Sequence, residues 1–217
     1  VLTLPLCGDP NISFNQVEIF IRIKKNVKSR TIFIKNIRKL PLVIKKKVSK
    51  DLKNITSKRE FTKKKSHILM GVLNMTPDSF SDGGKYNIFK KALRRIINMI
   101  EAGAKIIDIG GESTRPGSKI INQKKELKRI KSIIEIFKKK FPNTLLSIDT
   151  RKSLVMDYSI KKKVDIINDV SCFKFDPNSI NSIKNKNLWK IIHHMQGTPQ
   201  TMQIKPSYNH VLLDIYD

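Results

Sequence analysis

The stretch IFKKALRRIINMIEAGAKIIDIG, residues 88–110, decides the fold class. Apolar side chains recur in its first part with a period of 3.6 residues, which predicts a helix over Ile88–Ala102 that ends at Gly103. The run that follows, Lys105–Gly110, is short and almost continuously apolar, as is typical of a parallel strand covered on both faces. A helix that leads directly into such a strand is one step of a repeating β/α pattern.

The same pattern extends along the chain from residue 66. Short β-branched runs alternate with amphipathic segments, which predicts an all-parallel α/β architecture. The predicted strands are Ile68–Asn74, Lys105–Gly110, Leu145–Asp149, Asp165–Asp169 and Trp189–His193, and further helices are predicted over Gln123–Lys140, Ser153–Lys162 and Pro177–Lys186. Each strand ends in polar residues, which favours a (β/α)8 barrel of the TIM type over a doubly wound sheet, because a barrel places its active site at the carboxyl ends of all its strands.

The length of this region limits how much of a barrel it can form. Eight β/α units need about 250 residues, whereas residues 66–217 contain five predicted strands. We therefore expect a barrel truncated at its carboxyl end to about five strands, preceded by a basic extension over residues 1–65. The extension carries 18 basic and 4 acidic side chains, and its apolar stretches predict two or three weak strands or small helices. The sequence predicts no role for it.

The composition bears on partners and compartment. The formal net charge is +26, but Lys outnumbers Arg 35 to 9. This is more typical of a solvated surface than of base recognition, which favours arginine, so we do not expect a nucleic-acid partner. No apolar run reaches the length of about eighteen residues that a membrane span requires. The two cysteines, Cys7 and Cys172, predict neither a disulfide framework nor a metal site, and we expect a cytoplasmic protein.

Two polar loops follow the first two predicted strands. The first, NMTPDSFSDGG over residues 74–84, offers amide, hydroxyl and carboxylate oxygens, which are ligands suited to Mg²⁺. The second, GGESTRPG over residues 110–117, combines hydroxyls, glycine-flanked N–H groups and an arginine, which suit a pyrophosphate. Either loop alone is also typical of an ordinary turn. Two on adjacent strands favour a site for a diphosphate and a magnesium ion.

Polar residues at the ends of the later strands suggest a second part of the ligand. Asp149 and Asn168 end the third and fourth strands. On a barrel floor, a carboxylate and a carboxamide can bind the donor edge of a flat heterocycle such as a 2-amino-4-oxo-pteridine. Taken singly, each is more typical of a helix cap or a structural hydrogen bond. His193 and His194 are not expected to share a metal ion, because adjacent residues of a strand point to opposite faces.

Five segments of the chain resemble the dihydropteroate synthase family in their order and spacing. They are Met70–Gly84, Ile107–Gly117, Ser147–Thr150, Ile166–Val170 and His194–Gln203. The first two are long enough to make coincidence negligible. The resemblance implies a pterin-binding barrel of folate biosynthesis, with Mg²⁺ as cofactor. Its reaction condenses (7,8-dihydropterin-6-yl)methyl diphosphate with 4-aminobenzoate to give 7,8-dihydropteroate and diphosphate.

The resemblance also implies roles for nine residues. Asn74 takes the metal-binding position, and the catalytic positions are Asp82, beside the cationic methylene, and Arg115, at the departing diphosphate. The implied substrate-binding residues are Thr114 for the diphosphate, Asp108, Asp149 and Asn168 for the pterin, and Phe80 and Pro116 for the aminobenzoate pocket, where sulfonamides compete.

Three alternatives remain open at this point. A pterin-binding methyltransferase would share the barrel floor but is not expected to carry the two diphosphate-directed loops. A basic nucleic-acid binder is disfavoured by one Trp and four Tyr, too few for stacking single-stranded bases. The third is a truncated, inactive barrel. We expect the family's elements on strands six to eight and its dimer-forming helices to be absent from the 217 residues, so that only the full-length form would be an active homodimer.

Overall fold

The computed structural model describes residues 2–24, 26–58, 67–76, 85–113 and 118–216. The chain divides into two units, one formed by Val1–Ser66 with Ser207–Asp217 and the other by His67–Pro206. Residues 207–217 thus group with the N-terminal segment. The predicted domains, 1–65 and 66–217, stay a prediction. None of the helices in the described part of the chain is long and apolar enough to cross a membrane.

A parallel sheet of five strands forms the centre of the second unit. Its strands are β5 (Met70–Asn74), β6 (Ile106–Gly110), β7 (Leu145–Asp149), β8 (Ile166–Asp169) and β9 (Trp189–Ile192). Their order in the sheet is the order in the chain, β5-β6-β7-β8-β9, with no reversal. A doubly wound sheet reverses its strand order at a switch point, whereas a barrel does not. The predicted α/β class and barrel-type winding are therefore confirmed, with β5 and β9 at the two edges of the described sheet.

Helices connect these strands close to the predicted positions. They are α2 (Lys85–Glu101), α3 (Gln123–Lys140), α4 (Ser153–Lys161) and α5 (Ser179–Ile183). The start of α3 is fixed by Asn122, whose side chain accepts a hydrogen bond of 2.8 Å from the Lys125 N–H. Helix α5 is shorter than predicted because the Asp176 carboxylate accepts from the Asn178 N–H and holds the preceding residues in a turn.

The hydrophobic core lies on one face of the sheet. Alternate residues of the strands point to this face, and each is fully buried: Leu73, Ile107, Ile109, Leu146, Ile148 and Ile167. They pack against one stripe of each covering helix, and the largest contribution comes from Ile130, Ile133, Ile134 and Phe137 of α3. The opposite face carries the polar side chains at the strand ends. Buried apolar residues nearer the strand starts, such as Ile106 and Ile166, lie on this same face, so its polar groups are confined to the carboxyl end, where a β/α barrel places its site.

The first unit contains more regular structure than the sequence predicted. Its strands are β1 (Leu4–Leu6), β2 (Asp9–Phe14), β3 (Gln16–Ile23) and β4 (Asn26–Phe33), followed by a 3₁₀ helix (Ile34–Lys39), α1 (Leu42–Thr56) and, at the other end of the chain, α6 (Val211–Tyr216). Strands β1 and β2 pair antiparallel, as do β3 and β4. Most residues of β3 and β4 are exposed or half-buried, Lys28 and Arg30 among them, so the apolar pattern of these strands is weak in the sequence.

A small apolar cluster and several polar contacts hold the first unit together. Ile32, Ile34 and Ile37 are buried against residues of β3 and α1. Helix α6 joins them through an ion pair of 3.1 Å between Arg22 and Asp214. The grouping of the two chain ends thus rests on contacts between residues almost two hundred positions apart.

Candidate functional site

Three polar side chains and one glycine form a row across the carboxyl end of the sheet. The register pairs Asn74 with Gly110, Gly110 with Asp149, and Asp149 with Asn168. Asp108 lies two residues before Gly110 and therefore points to the same side. These residues and Ser147, which pairs with Asp108, form what we call the polar face: Asn74, Asp108, Gly110, Ser147, Asp149 and Asn168. The structure thus brings together the four predicted site residues that it describes.

The carboxylates of the polar face are held in an environment that favours their neutral form. Burial raises the pKa of Asp149 to about 8, and the negative charges of Asp108, Glu126, Asp169 and Glu112 add to this effect. Burial also raises the pKa of Asp108, although Ser147 and Asn168 oppose part of the shift. A ligand that donates hydrogen bonds to these oxygens would restore their charged form.

Several polar atoms of this face are buried without a partner among the described residues. The Asn168 amide donates a hydrogen bond to Asp108 Oδ2 at 3.0 Å. The other oxygen of Asp108, Oδ1, and the amide oxygen of Asn168, Oδ1, take no part in this bond. Neither of these oxygens, nor Ser147 Oγ, has a hydrogen-bond partner there. Buried polar atoms are almost always hydrogen-bonded in native proteins, and exceptions cluster where ligands or water bind. The polar face therefore offers acceptors for a ligand rich in N–H groups.

Gly110 leaves a space between two of these side chains. A Cβ atom at this position would lie 3.4 Å from Asn74 Oδ1 and 3.4 Å from Asp149 Oδ2. The absence of a side chain therefore keeps the centre of the row open. Hard oxygens at either side of such a space suit a cation or a hydrogen-bond donor.

A network of buried charges lies next to the polar face, and the sequence did not predict it. Lys152 Nζ contacts Glu112 Oε1 at 2.7 Å and Glu126 Oε2 at 2.6 Å, while Arg151 Nε donates to Glu112 Oε2 at 2.9 Å. Thr150 Oγ1 donates to Glu126 Oε1 at 2.6 Å. All five residues are less than a tenth exposed. Glu112 and Thr150 lie within two of the recognised motifs, and Arg151 and Lys152 directly follow the second of them. This position in the chain is the one signal that could have revealed these four residues.

The two glutamates of this network differ in their electrostatic balance. Burial alone would raise the pKa of Glu112, but hydrogen bonds from Lys152, the Ile121 N–H and Arg151 hold it below its ordinary value. Burial raises the pKa of Glu126 in spite of its bonds to Lys152 and Thr150. Two carboxylates and two cations thus share one enclosed space, with Glu112 the more strongly compensated carboxylate.

The other predicted site residues lie outside the described part of the chain. They belong to the two polar loops and are Phe80, Asp82, Thr114, Arg115 and Pro116. Their predicted roles stay predictions. The residues on either side of the undescribed part of the second loop, Ser113 and Ser118, are described. The backbone oxygen of Ser118 accepts a hydrogen bond from the Gln200 side chain at 3.0 Å.

Comparison with known proteins identifies the family. The sequence profile described as pterin binding enzyme matches residues 70–216. The chain belongs to the pterin-binding enzyme family. This membership explains why polar acceptors converge at the carboxyl ends of a barrel sheet.

Individual pterin-binding enzymes align with the same part of the chain. Dihydropteroate synthase of Haemophilus influenzae is 41% identical over 147 residues, which cover 68% of this chain and 53% of that enzyme. The crystal structure of Yersinia pestis dihydropteroate synthase in a sulfonamide drug complex matches with 40% identity and a TM-score of 0.62, covering 69% of this chain and 54% of that one. Burkholderia cenocepacia dihydropteroate synthase complexed with 7,8-dihydropteroate matches with 38% identity and a TM-score of 0.58, covering 70% and 50%. The chain thus spans about half the length of the pterin-binding enzymes that it matches.

Proposed function

We propose that this protein is a dihydropteroate synthase, which condenses (7,8-dihydropterin-6-yl)methyl diphosphate with 4-aminobenzoate. The observation that carries the proposal is the polar face, where Asp108, Asp149 and Asn168 converge with acceptor atoms that have no partner among the described residues. The 41% sequence identity to the Haemophilus influenzae enzyme, which is named dihydropteroate synthase, favours this reaction over methyl transfer. The Burkholderia cenocepacia enzyme was solved with 7,8-dihydropteroate, the product of the proposed reaction.

Pterin recognition would rest on the residues of the polar face. The ring presents a 2-amino group and a neighbouring N–H, which together suit a carboxylate that accepts two hydrogen bonds. Asp149 is the carboxylate at the open centre of the row, and Asn168 Oδ1 adds an acceptor beside it. A hydrogen bond to a charged group contributes about 1.5–3 kcal/mol. Binding the ring would therefore also stabilise the charged form of Asp149.

The diphosphate would lie toward the two polar loops, with Mg²⁺ held by Asn74. The side-chain oxygen of Asn74 borders the space at Gly110, and one protein oxygen combined with substrate phosphates is a common way to hold this ion. When bound, Mg²⁺ would neutralise charge on the departing diphosphate. Thr114 and Arg115, which the resemblance places at this group, would contribute hydrogen bonds and positive charge.

The condensation needs no protein nucleophile. The C–O bond between the pterin methylene and the diphosphate breaks, the amine nitrogen of 4-aminobenzoate bonds to that carbon, and the amine loses a proton. The residues of this chain would position the two substrates and stabilise developing charge, Asp82 at the methylene and Arg115 at the leaving group. Phe80 and Pro116 would border the aminobenzoate. The proposal includes a homodimer as the working state and a cytoplasmic location.

Calorimetric titration of the 217-residue chain with (7,8-dihydropterin-6-yl)methyl diphosphate tests the proposed function. Asp149→Asn should weaken binding by about 1.5–3 kcal/mol, which is roughly tenfold to more than a hundredfold. Asp157→Asn, which changes an exposed carboxylate of α4, is the matched control and should bind like the unchanged chain. Equal affinity in the Asp149 variant and the control would contradict the proposal.

A further inference from the structure

The buried charge network connects three segments that are separate in the sequence. Glu112 follows β6, Glu126 lies in the first turns of α3, and Thr150–Lys152 follow β7. Each of the four carboxylate oxygens of the two glutamates has a partner. Glu112 Oε1 accepts from Lys152 and from the Ile121 N–H at 2.9 Å, Glu112 Oε2 from Arg151, and the Glu126 oxygens from Thr150 and Lys152.

Two further contacts anchor the network to its surroundings. The Arg129 side chain donates to the Gly111 carbonyl at 2.7 Å, and a Cβ on Gly111 would lie 2.9 Å from Glu126 Cγ. On the other side, the Arg151 guanidinium stacks 3.9 Å from the ring centre of Phe175. The chain after β6 is therefore packed directly on α3, and the chain after β7 is held on both sides.

Stability alone does not explain why these residues are charged. Burying four charges costs much of what their attraction contributes, and apolar residues of similar volume often stabilise a core equally well. Charged and hydrogen-bonded groups differ from apolar ones in fixing direction and distance. The network fixes the direction and position of the chain at Glu112, two residues beyond Gly110, and at Thr150, directly after Asp149.

We propose that Glu112, Glu126 and Lys152 are positioning residues, which hold the carboxyl ends of β6 and β7 so that Asp149 meets the pterin ring. This inference rests on the proposed function, since it concerns the same ligand. The three residues act through the backbone at Gly110 and Asp149 and do not themselves contact the ring. Their charge therefore serves the geometry of the polar face.

Two variants separate positioning from a purely structural role. Lys152→Met removes the shared cation and leaves Glu112 Oε1 and Glu126 Oε2 without it. Adding Glu126→Gln removes one negative charge as well, so that the network keeps equal numbers of carboxylates and cations. The matched control makes the same two changes in an exposed ion pair of α3, Lys131→Met with Glu135→Gln, whose charged atoms lie 3.9 Å apart.

The readouts are the melting temperature and the affinity for (7,8-dihydropterin-6-yl)methyl diphosphate. Affinity is measured by quenching of Trp189, the single tryptophan, whose register with Ile166 places it on the side of the sheet that carries the polar face. We expect Lys152→Met to lower both values. The double variant should recover most of the melting temperature while its affinity stays at least tenfold below that of the unchanged chain, and the control should match the unchanged chain in both.

The outcomes distinguish this inference from the function on which it rests. Joint recovery of melting temperature and affinity in the double variant would overturn the inference, as would wild-type affinity in Lys152→Met. If the Lys152 variants do not fold, Glu112→Gln keeps the shape of the side chain and should show the same tenfold loss, and unchanged affinity there would overturn the inference. Absence of binding by the unchanged chain would instead contradict the proposed function.

Discussion

Replacing Asp149, the carboxylate proposed to bind the pterin, by asparagine should stabilise the folded protein at alkaline pH. Burial and the neighbouring carboxylates raise the pKa of Asp149 from its ordinary 3.8 to about 8. Between these two values the folded state keeps a proton on Asp149 that the unfolded state has lost. The free energy of unfolding therefore falls as pH rises from about 4 to about 8, and levels off above. Asparagine does not titrate, so the free energy of unfolding of the variant does not fall with pH for this reason.

The size of the effect follows from the shift. Each pKa unit corresponds to about 1.4 kcal/mol, so a shift of about four units sets an upper limit of about 5–6 kcal/mol. Asp149 is partly exposed, and solvent screens its charge. We therefore expect the variant to exceed the unchanged protein by about 2–3 kcal/mol at pH 8, and by less than about 1 kcal/mol at pH 4.5.

Urea denaturation followed by Trp189 fluorescence at both pH values measures this difference within the second unit. Asp157→Asn changes an exposed carboxylate and should keep the pH dependence of the unchanged protein. The same pH dependence in Asp149→Asn and the control, or lower stability of Asp149→Asn than of the unchanged protein at pH 8, would refute the raised pKa of Asp149 on which this reasoning rests.

Three further predictions concern packing around the same face. Phe137→Ala should lower the free energy of unfolding by about 3–5 kcal/mol in urea denaturation, because this ring is fully buried between α3 and the sheet. Gly111→Ala should lower it by about 1–3 kcal/mol in the same measurement, since the new Cβ would lie 2.9 Å from both Glu126 Cγ and the Glu126 carbonyl oxygen. Gly110→Ala should leave the melting temperature nearly unchanged but weaken binding of the pterin diphosphate about tenfold in calorimetry. The reason is that its Cβ would enter the space between Asn74 and Asp149. Wild-type affinity of this variant would show that the ligand does not use this space.

The barrel part of the fold could be predicted from the sequence because its signals are local. Helix α3 begins and ends at the predicted residues, and β7 does too, since a 3.6-residue period and a short apolar run each arise within one segment. The convergence of Asn74, Asp108, Asp149 and Asn168 also followed from local signals. Parallel strands bring their carboxyl ends to one edge, so strand-end residues become neighbours without further information.

The buried network and the first unit could not be predicted in this way. Glu126 lies in a helix rich in lysine and looks like a solvent-exposed residue until α3 is placed against Gly111 and Lys152. The joining of Arg22 to Asp214 likewise depends on a contact between distant parts of the chain. Periodicity states which side of an element is apolar, but the partner of a charged side chain is set by how elements pack. The sequence by itself therefore determined the strands and helices of the barrel part and the sheet edge that carries the candidate site. Only the tertiary structure decided which charges are buried, because burial and ion pairing depend on distances between segments that no local pattern contains.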